Sequence, residues 1–305
     1  MHVSVSFFHS PVFKSRPAKL IALFVLIFAA RAAQAQSLGY EGPTGVFVTP
    51  LASTAASPAN GFGHPVIAYH MLTGGPVIGI WNTVSVTEGF AKRFEVGYTR
   101  EIHAEGDTAG LSPLWTEGFN IIHGKANFLD ENHGKNPWVP ALSIGGIVRT
   151  NVRNVGGEIS GKDTTNGDIY LVATKIVTQS KKVPLVLNAG VRGTNASLWG
   201  LGGNAPGFEA RAFGALGFVL TGPGKSTIIL ASEVAQQPRR IDVGGTPSFD
   251  IPTSVDYAAR IMPLPKRKLN IDFGVLQAAG RIQTTPAPVD LKARARFAFG
   301  ISYGF

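Results

Sequence analysis

Apolar and polar residues alternate with period two over segments of about ten residues, and clusters of Gly, Pro, Asn and Lys separate the segments. The clearest case is the last. Leu291, Ala293, Ala295, Phe297, Phe299, Ile301, Tyr303 and Phe305 are all apolar, while Lys292, Arg294, Arg296, Ala298, Gly300, Ser302 and Gly304 between them are charged or small. Leu269, Ile271, Phe273 and Val275 alternate in the same way with Asn270, Asp272 and Gly274, and the pattern weakens from Ser226 to Ala235. The alternation predicts strands over 65–73, 78–89, 93–102, 117–129, 138–150, 167–178, 184–195, 209–221, 225–237, 253–263, 268–279 and 290–305.

Connections alternate too. Those after the second, fourth, sixth, eighth and tenth strands are mostly tight, as at Gly222-Pro223-Gly224; those at His103 to Thr116, Asn151 to Asn166 and Pro238 to Pro252 are long. Gly74-Gly75-Pro76 is a short exception among the long set. Short turns at one end, longer loops at the other and an even strand number predict an up-and-down antiparallel transmembrane β-barrel of about twelve strands. A bilayer demands closure, because an unpaired edge N–H or C=O has no water to bond there. A soluble β-sandwich would also alternate, but with its apolar faces turned inward.

The first 35 residues read differently. Lys14, Arg16 and Lys19 precede the apolar run Leu20 to Ala30, and Ala33-Gln34-Ala35 is a small-x-small cleavage site, so residues 1–35 are expected to be a secretory signal peptide. The run is well short of the roughly 20 residues of a spanning helix. Residues 36–64 are then a periplasmic lead-in, a plug or an extra strand, and 65–305 the barrel. The segment 42–87 carries no charge, yet Pro43, Pro50, Pro58, Pro65 and Pro76 exclude a helix.

Composition fits this order. The chain has 305 residues, no cysteine, 37 glycines and 15% charged residues, which excludes a disulfide scaffold, a thiolate zinc site and a coiled coil. Its net charge of +9 falls to +5 once the signal, with Lys14, Arg16, Lys19 and Arg31 and no acid, is removed. Export and the lack of a dense basic run speak against nucleic acid as a partner.

The closing residues Phe299-Gly300-Ile301-Ser302-Tyr303-Gly304-Phe305 resemble the C-terminal insertion signal of bacterial outer-membrane β-barrels, with Gly300, Tyr303 and Phe305 matching and Phe299 standing where a polar residue is usual. Gly42 to Ala52 (GPTGVFVTPLA) is similar to the opening of exopolysaccharide-export-associated barrels. The resemblance implies a porin-like fold of an uncharacterised family, a Gram-negative outer-membrane location, lipid and the barrel assembly machinery as partners, and no reaction.

Chemistry is sparse. His64, His70, His103, His123 and His133 show no metal-ligand spacing, so no metal and no cofactor are expected. Gly222-Pro223-Gly224-Lys225-Ser226 lacks the first glycine of a phosphate loop, Val219 standing in its place, and Gly200 to Ala205 has Pro206 where a dinucleotide motif needs a helix. Ser143 and His123 fall on neighbouring strands, which leaves a lipid hydrolase as a third reading, with no motif around the serine. With apolar residues facing lipid, Arg149, Arg192, Arg211, Arg260, Lys292, Arg294, Arg296, Glu95, Asp256 and Asp272 face the lumen. Their default arrangement is a salt-bridged gallery. Arginines left unpaired, above all in the trio Lys292, Arg294 and Arg296, would favour anions, unless loop acids such as Asp242 or Glu105 fold in. The leading expectation is a non-enzymatic pore or transport protein for small solutes, with a slight anion preference set by Arg294, Arg296, Arg192 and Arg211; the alternative is a non-conducting structural or assembly factor of the envelope, linked to exopolysaccharide.

Overall fold

The structure is a computed structural model that describes residues 37–75, 79–104, 118–150, 165–178, 183–202, 204–238, 242–243, 246–247, 249–250, 253–263, 268–278, 281–282, 289–290 and 293–305. The expected signal peptide lies outside the described residues.

Twelve antiparallel strands close into a barrel. They are β1 (Val66–Gly75), β2 (Gly79–Phe90), β3 (Phe94–Ala104), β4 (Phe119–Leu129), β5 (Ala141–Thr150) and β6 (Asn166–Val177), followed by β7 (Leu185–Ala196), β8 (Asn204–Thr221), β9 (Thr227–Gln236), β10 (Thr253–Met262), β11 (Leu269–Ala278) and β12 (Ala293–Gly304). Each pairs with its neighbours in sequence, and β1 closes on β12 with Val66 opposite Gly304 and Leu72 opposite Ala298. Closure removes the edges that a two-sheet sandwich would keep. Beside the barrel, 242–243 pairs with 246–247, and 281–282 pairs with both 249–250 and 289–290.

Which face points outward decides the solvent. On β3, Phe94, Val96, Tyr98 and Ile102 are exposed, while Glu95, Thr99, Glu101 and His103 between them are buried. The same holds for Ile169 and Leu171 on β6 and for Phe297, Ile301 and Tyr303 on β12. Val96 is 55% exposed and Ile169 62% exposed, against 0% for Thr99 and Glu101. In water such a surface would cost about 1.5–3 kcal/mol for each large side chain, whereas acyl chains accept it. The barrel is therefore transmembrane, although no helix among the described residues is long and apolar enough to cross a membrane. Aromatic residues gather at the end that holds the short turns: Phe62 lies 4.9 Å from Phe90, Phe90 6.2 Å from Phe94, and Tyr303 5.2 Å from Phe305 between ring centroids.

One expectation needs amending. The inward face is not uniformly polar: Trp81, Phe119, Ile121, Ile147, Tyr170, Val172, Phe213 and Leu276 point inward and form one core with Tyr40 and Phe47 of the preceding segment. The lumen is packed.

Candidate functional site: the occupied lumen

The chain before β1 folds inside the barrel. At the short-turn end the Gly63 N–H donates to the Gly89 carbonyl at 2.8 Å and the Ala91 N–H to that of Gly61 at 3.0 Å. Prolines 43 and 50 prevent regular structure, so this inner segment turns back on itself through Gly39 N–H to Pro43 O (2.8 Å), Tyr40 N–H to Phe47 O (2.7 Å) and Leu51 N–H to Thr44 O (3.0 Å). Gly42 has φ of 103°, and a Cβ there would lie 2.5 Å from Thr99 Oγ1, so no other residue fits the bend.

Irregular backbone at membrane depth is tolerated only where protein satisfies its polar groups, and the wall does so almost residue by residue. Thr83, Thr99 and Thr87 donate to the carbonyls of Tyr40, Glu41 and Gly42 at 3.0, 2.9 and 2.8 Å. Lys125 Nζ donates to the carbonyls of Thr44 (3.0 Å) and Leu51 (2.9 Å) and pairs with Glu95 at 2.9 Å. Glu95 in turn accepts the N–H groups of Thr44 (3.0 Å) and Ala55 (2.8 Å). Arg260 donates to the carbonyls of Gly45 and Val46 and is held from behind by Asp272 at 2.6 Å. Asn188 donates to Pro50 O at 3.0 Å, Asn127 and Ser143 donate to Ala52 O, and Thr174 Oγ1 accepts the Ala52 N–H at 2.8 Å.

Glu233 of β9 holds the tip. Its carboxylate accepts the N–H groups of Phe47 (2.7 Å), Val48 (3.2 Å) and Thr49 (2.7 Å) and the Thr49 hydroxyl (2.6 Å). On the other side Glu41 meets Arg149 at 2.6 Å, and Arg149 also meets Asp168 at 2.8 Å. Burial pushes the Glu41 carboxyl above its usual range, and the Arg149 guanidinium pulls it back.

Of the lumen charges read from the sequence, Arg149, Arg260, Glu95 and Asp272 meet in these contacts. Arg192 and Arg211 are register partners. Gln237 separates their charges, accepting from Arg192 NH2 through Oε1 (3.1 Å) and from Arg211 Nε through its carbonyl (3.0 Å). Arg192 also lies 3.9 Å from Asp168, and Arg211 pairs with Glu209. Asp256 is buried opposite Glu233. Arg296 packs its guanidinium against Gly75. Lys292, Glu105 and the side chains of Arg294 and Asp242 lie outside the described residues. Arg149, Arg192, Arg211 and Arg260 thus each meet a carboxylate. Gly300 is buried where a Cβ would strike His70 at 2.4 Å, whereas Tyr303 and Phe305 point outward.

The hydrolase pair is not assembled. Ser143 stands opposite Asn127 and His123 opposite Ile147, about 13 Å apart along the strand, and His123 Nε2 lies 3.1 Å from the Thr87 hydroxyl. His70 and His103 are buried, and among the described residues no group of three or more His, Asp or Glu is placed to hold a metal. Residues 223–225 form the β8–β9 turn, as read. The Gly200 region connects β7 to β8 at the long-loop end and packs inward: Leu198 and Trp199 are buried at φ of 45° and 56°, and Trp199 lines a cleft with Glu41, Asp168, Tyr170 and Arg192. That cleft has room for about one water molecule.

Glu41, Lys125, Asp168 and Glu233 were missed as site residues. Their inward phase on alternating strands could have flagged the last three; nothing in the sequence marks Glu41.

No family model matches the chain, and no curated protein does. Among solved structures, it is similar to the KdgM porin in complex with disordered oligogalacturonate (TM-score 0.43, 12% identity, covering 79% of this chain and 99% of that one). It is also similar to an outer membrane channel from Pseudomonas putida F1 (TM-score 0.44, 10% identity, 82% and 97%). A third is Wzi, an outer membrane protein involved in group 1 capsule assembly in Escherichia coli and described as a carbohydrate-binding β-barrel (TM-score 0.30, 10% identity, 78% and 55%). The barrel assignment rests on the strand pairing given above.

Proposed function

We propose that the chain is an outer-membrane channel for small solutes, held shut by residues 37–63 acting as a plug. The carrying observation is the kind of contact that retains the segment. Its carbonyls at 40–42, 44–46 and 50–52 are bound by hydroxyl, amide, ammonium and guanidinium groups of the wall. Water can replace each of these bonds when the segment moves, so opening leaves polar wall groups that water can bind between the inward apolar side chains. Lys125 with Glu95, Arg260 with Asp272 and Arg149 with Asp168 are bound to each other as well as to the segment, which keeps these six groups paired after release. These pairings favour a channel of weak charge preference over a strongly anion-selective one. The short-turn end faces the periplasm in this reading, as in bacterial barrels generally, and lipid and the barrel assembly machinery are its partners.

Planar-bilayer recordings test the proposal. The full chain is expected to be mostly closed, and a variant lacking residues 37–63 to conduct steadily. A deletion variant that keeps the slow gel mobility change on boiling of a closed barrel, yet passes no current, would overturn the channel. A second reading, a non-conducting structural barrel, draws on the packed core that Tyr40 and Phe47 share with Trp81 and Phe213. The same null current would favour it.

A further inference from the structure

The cleft beside Trp199 lies between the wall and the inner segment. Tyr170 of β6, Arg192 of β7, Phe213 of β8 and Trp199 of the β7–β8 connection line it from the wall, and Val48, Thr49 and Pro50 line it from the segment. Tyr170 and Arg192 are register partners, and the Tyr170 and Phe213 rings meet edge to face with centroids 6.5 Å apart. Glycines make room for both rings: a Cβ at Gly145 would collide with Tyr170, and one at Gly190 with Phe213. Leu198 and Trp199, successive non-glycine residues at positive φ, form the strained bend from which the indole is buried.

Three donors in this lining have no acceptor among the described residues: Tyr170 Oη, Trp199 Nε1 and Arg192 Nε. Tyr170 is 3% exposed, Trp199 2% and Arg192 7%, so bulk solvent does not serve them, and each bare donor costs free energy. The cleft admits about one water, whose two lone pairs accept from two of the three donors at most. An occupant that fits them all offers several acceptor oxygens and a flat apolar face for the rings. Its charge follows from the ion pairs. Glu41 and Asp168 balance Arg149 and Arg192 through contacts of 2.6, 2.8 and 3.9 Å, so the four groups carry no net charge and an anion would meet two carboxylates. A neutral pyranose matches: its hydroxyls accept from the three donors and donate to Asp168, and its C–H face packs on the aromatic rings.

We infer that Tyr170, Arg192, Trp199, Phe213 and Asp168 form a binding site for a neutral sugar ring near the long-loop end of the lumen. A ring is larger than the cleft, so Val48 and Thr49 leave Glu233, and Pro50 leaves Asn188, to admit it while Glu41 stays on Arg149. The inference rests on the reading of residues 37–63 as a movable plug and names what displaces its tip: a ligand that fits only the withdrawn state shifts the segment towards that state.

Saturation-transfer difference NMR of the full chain in a polyoxyethylene detergent tests it, with D-glucose and D-glucuronate as probes. Saturation should pass from the protein to the ring C–H protons of glucose. Tyr170→Phe, which keeps the ring and removes one donor, should bind glucose about fivefold more weakly, and Trp199→Leu about tenfold. Glucuronate should bind more weakly than glucose. No glucose signal in the wild type, binding by both variants equal to the wild type's, or glucuronate bound as well as glucose would each overturn the site. Gel mobility with and without boiling confirms that each variant is folded. Planar-bilayer current separates this inference from the channel: a protein that conducts and shows no glucose contact contradicts the site alone, whereas glucose binding without current in the wild type or the deletion variant contradicts the channel and leaves the site standing.

Discussion

Thr99 and Arg100 are neighbours in the chain and face opposite media. Thr99 points inward and donates to the Glu41 carbonyl, with Ser85 also within hydrogen-bond reach. Arg100 points outward, where Asn120 steadies it among exposed apolar side chains. The inner face carries many charges because opposite charges such as Glu95 and Lys125, and the backbone of the inner segment, are there to meet them; the outer face carries few because acyl chains supply no such partner. One alternation thus builds two surfaces with opposite tolerances. A charge inside is a matter of finding its partner, and a charge outside is a matter of escaping the acyl chains.

Substitutions can break this contrast. The largest effect is expected from Glu233→Leu, which leaves three N–H groups and a hydroxyl of the inner segment without their acceptor; the segment's hold should weaken by about 3–5 kcal/mol, after allowing for water that enters. Limited proteolysis of residues 37–63 in membranes should accelerate accordingly, and unchanged cleavage would contradict the tip contact. Next comes Leu171→Arg, at the middle of the outward face of β6. It should cost about 2–4 kcal/mol of folding free energy in lipid vesicles, measured by denaturant titration. A cost near zero would mean that this face does not meet acyl chains. Glu41→Gln keeps Arg149 paired with Asp168 and should cost about 1–2 kcal/mol, read as a modest rise in the frequency of channel openings. The smallest is Thr83→Val, which removes one donor to the Tyr40 carbonyl for about 1 kcal/mol; thermal unfolding in detergent would show it as a slight fall in Tm.

The barrel was legible in the sequence because its cause is local. Period two and the outward medium act on every strand alike, so Phe297, Ile301 and Tyr303 announce the face they occupy, and even the weakly patterned 227–236 is carried into place by its neighbours. The inward-facing Trp81, Ile121, Ile147 and Phe213 were not legible as inward, because reading them so requires knowing that apolar residues Tyr40 and Phe47 come back to meet them. The charged wall was half legible. Arg149, Arg260, Glu95 and Asp272 could be placed on the inner face, but their partners could not, since Arg260 reaches Val46 across 214 residues of chain and Glu233 reaches Phe47 across 186. Contacts of that separation leave no periodic trace. Trp199 is a similar case: nothing in its local sequence shows that the cleft beside Glu41 buries its ring.

The central claim is that residues 37–63 occupy and close the lumen. The chain has no cysteine, so a pair introduced as Ala52→Cys and Ser143→Cys, at positions whose backbone and side chain already touch, would be its only thiols. Bilayer current recorded before and after reduction is then the most direct measurement. Oxidation should form the cross-link, visible by mass, and abolish openings, and reduction should restore them. If the link forms and the current is the same in both states, the segment does not close the channel; if it never forms in membranes, the segment does not lie where the structure places it.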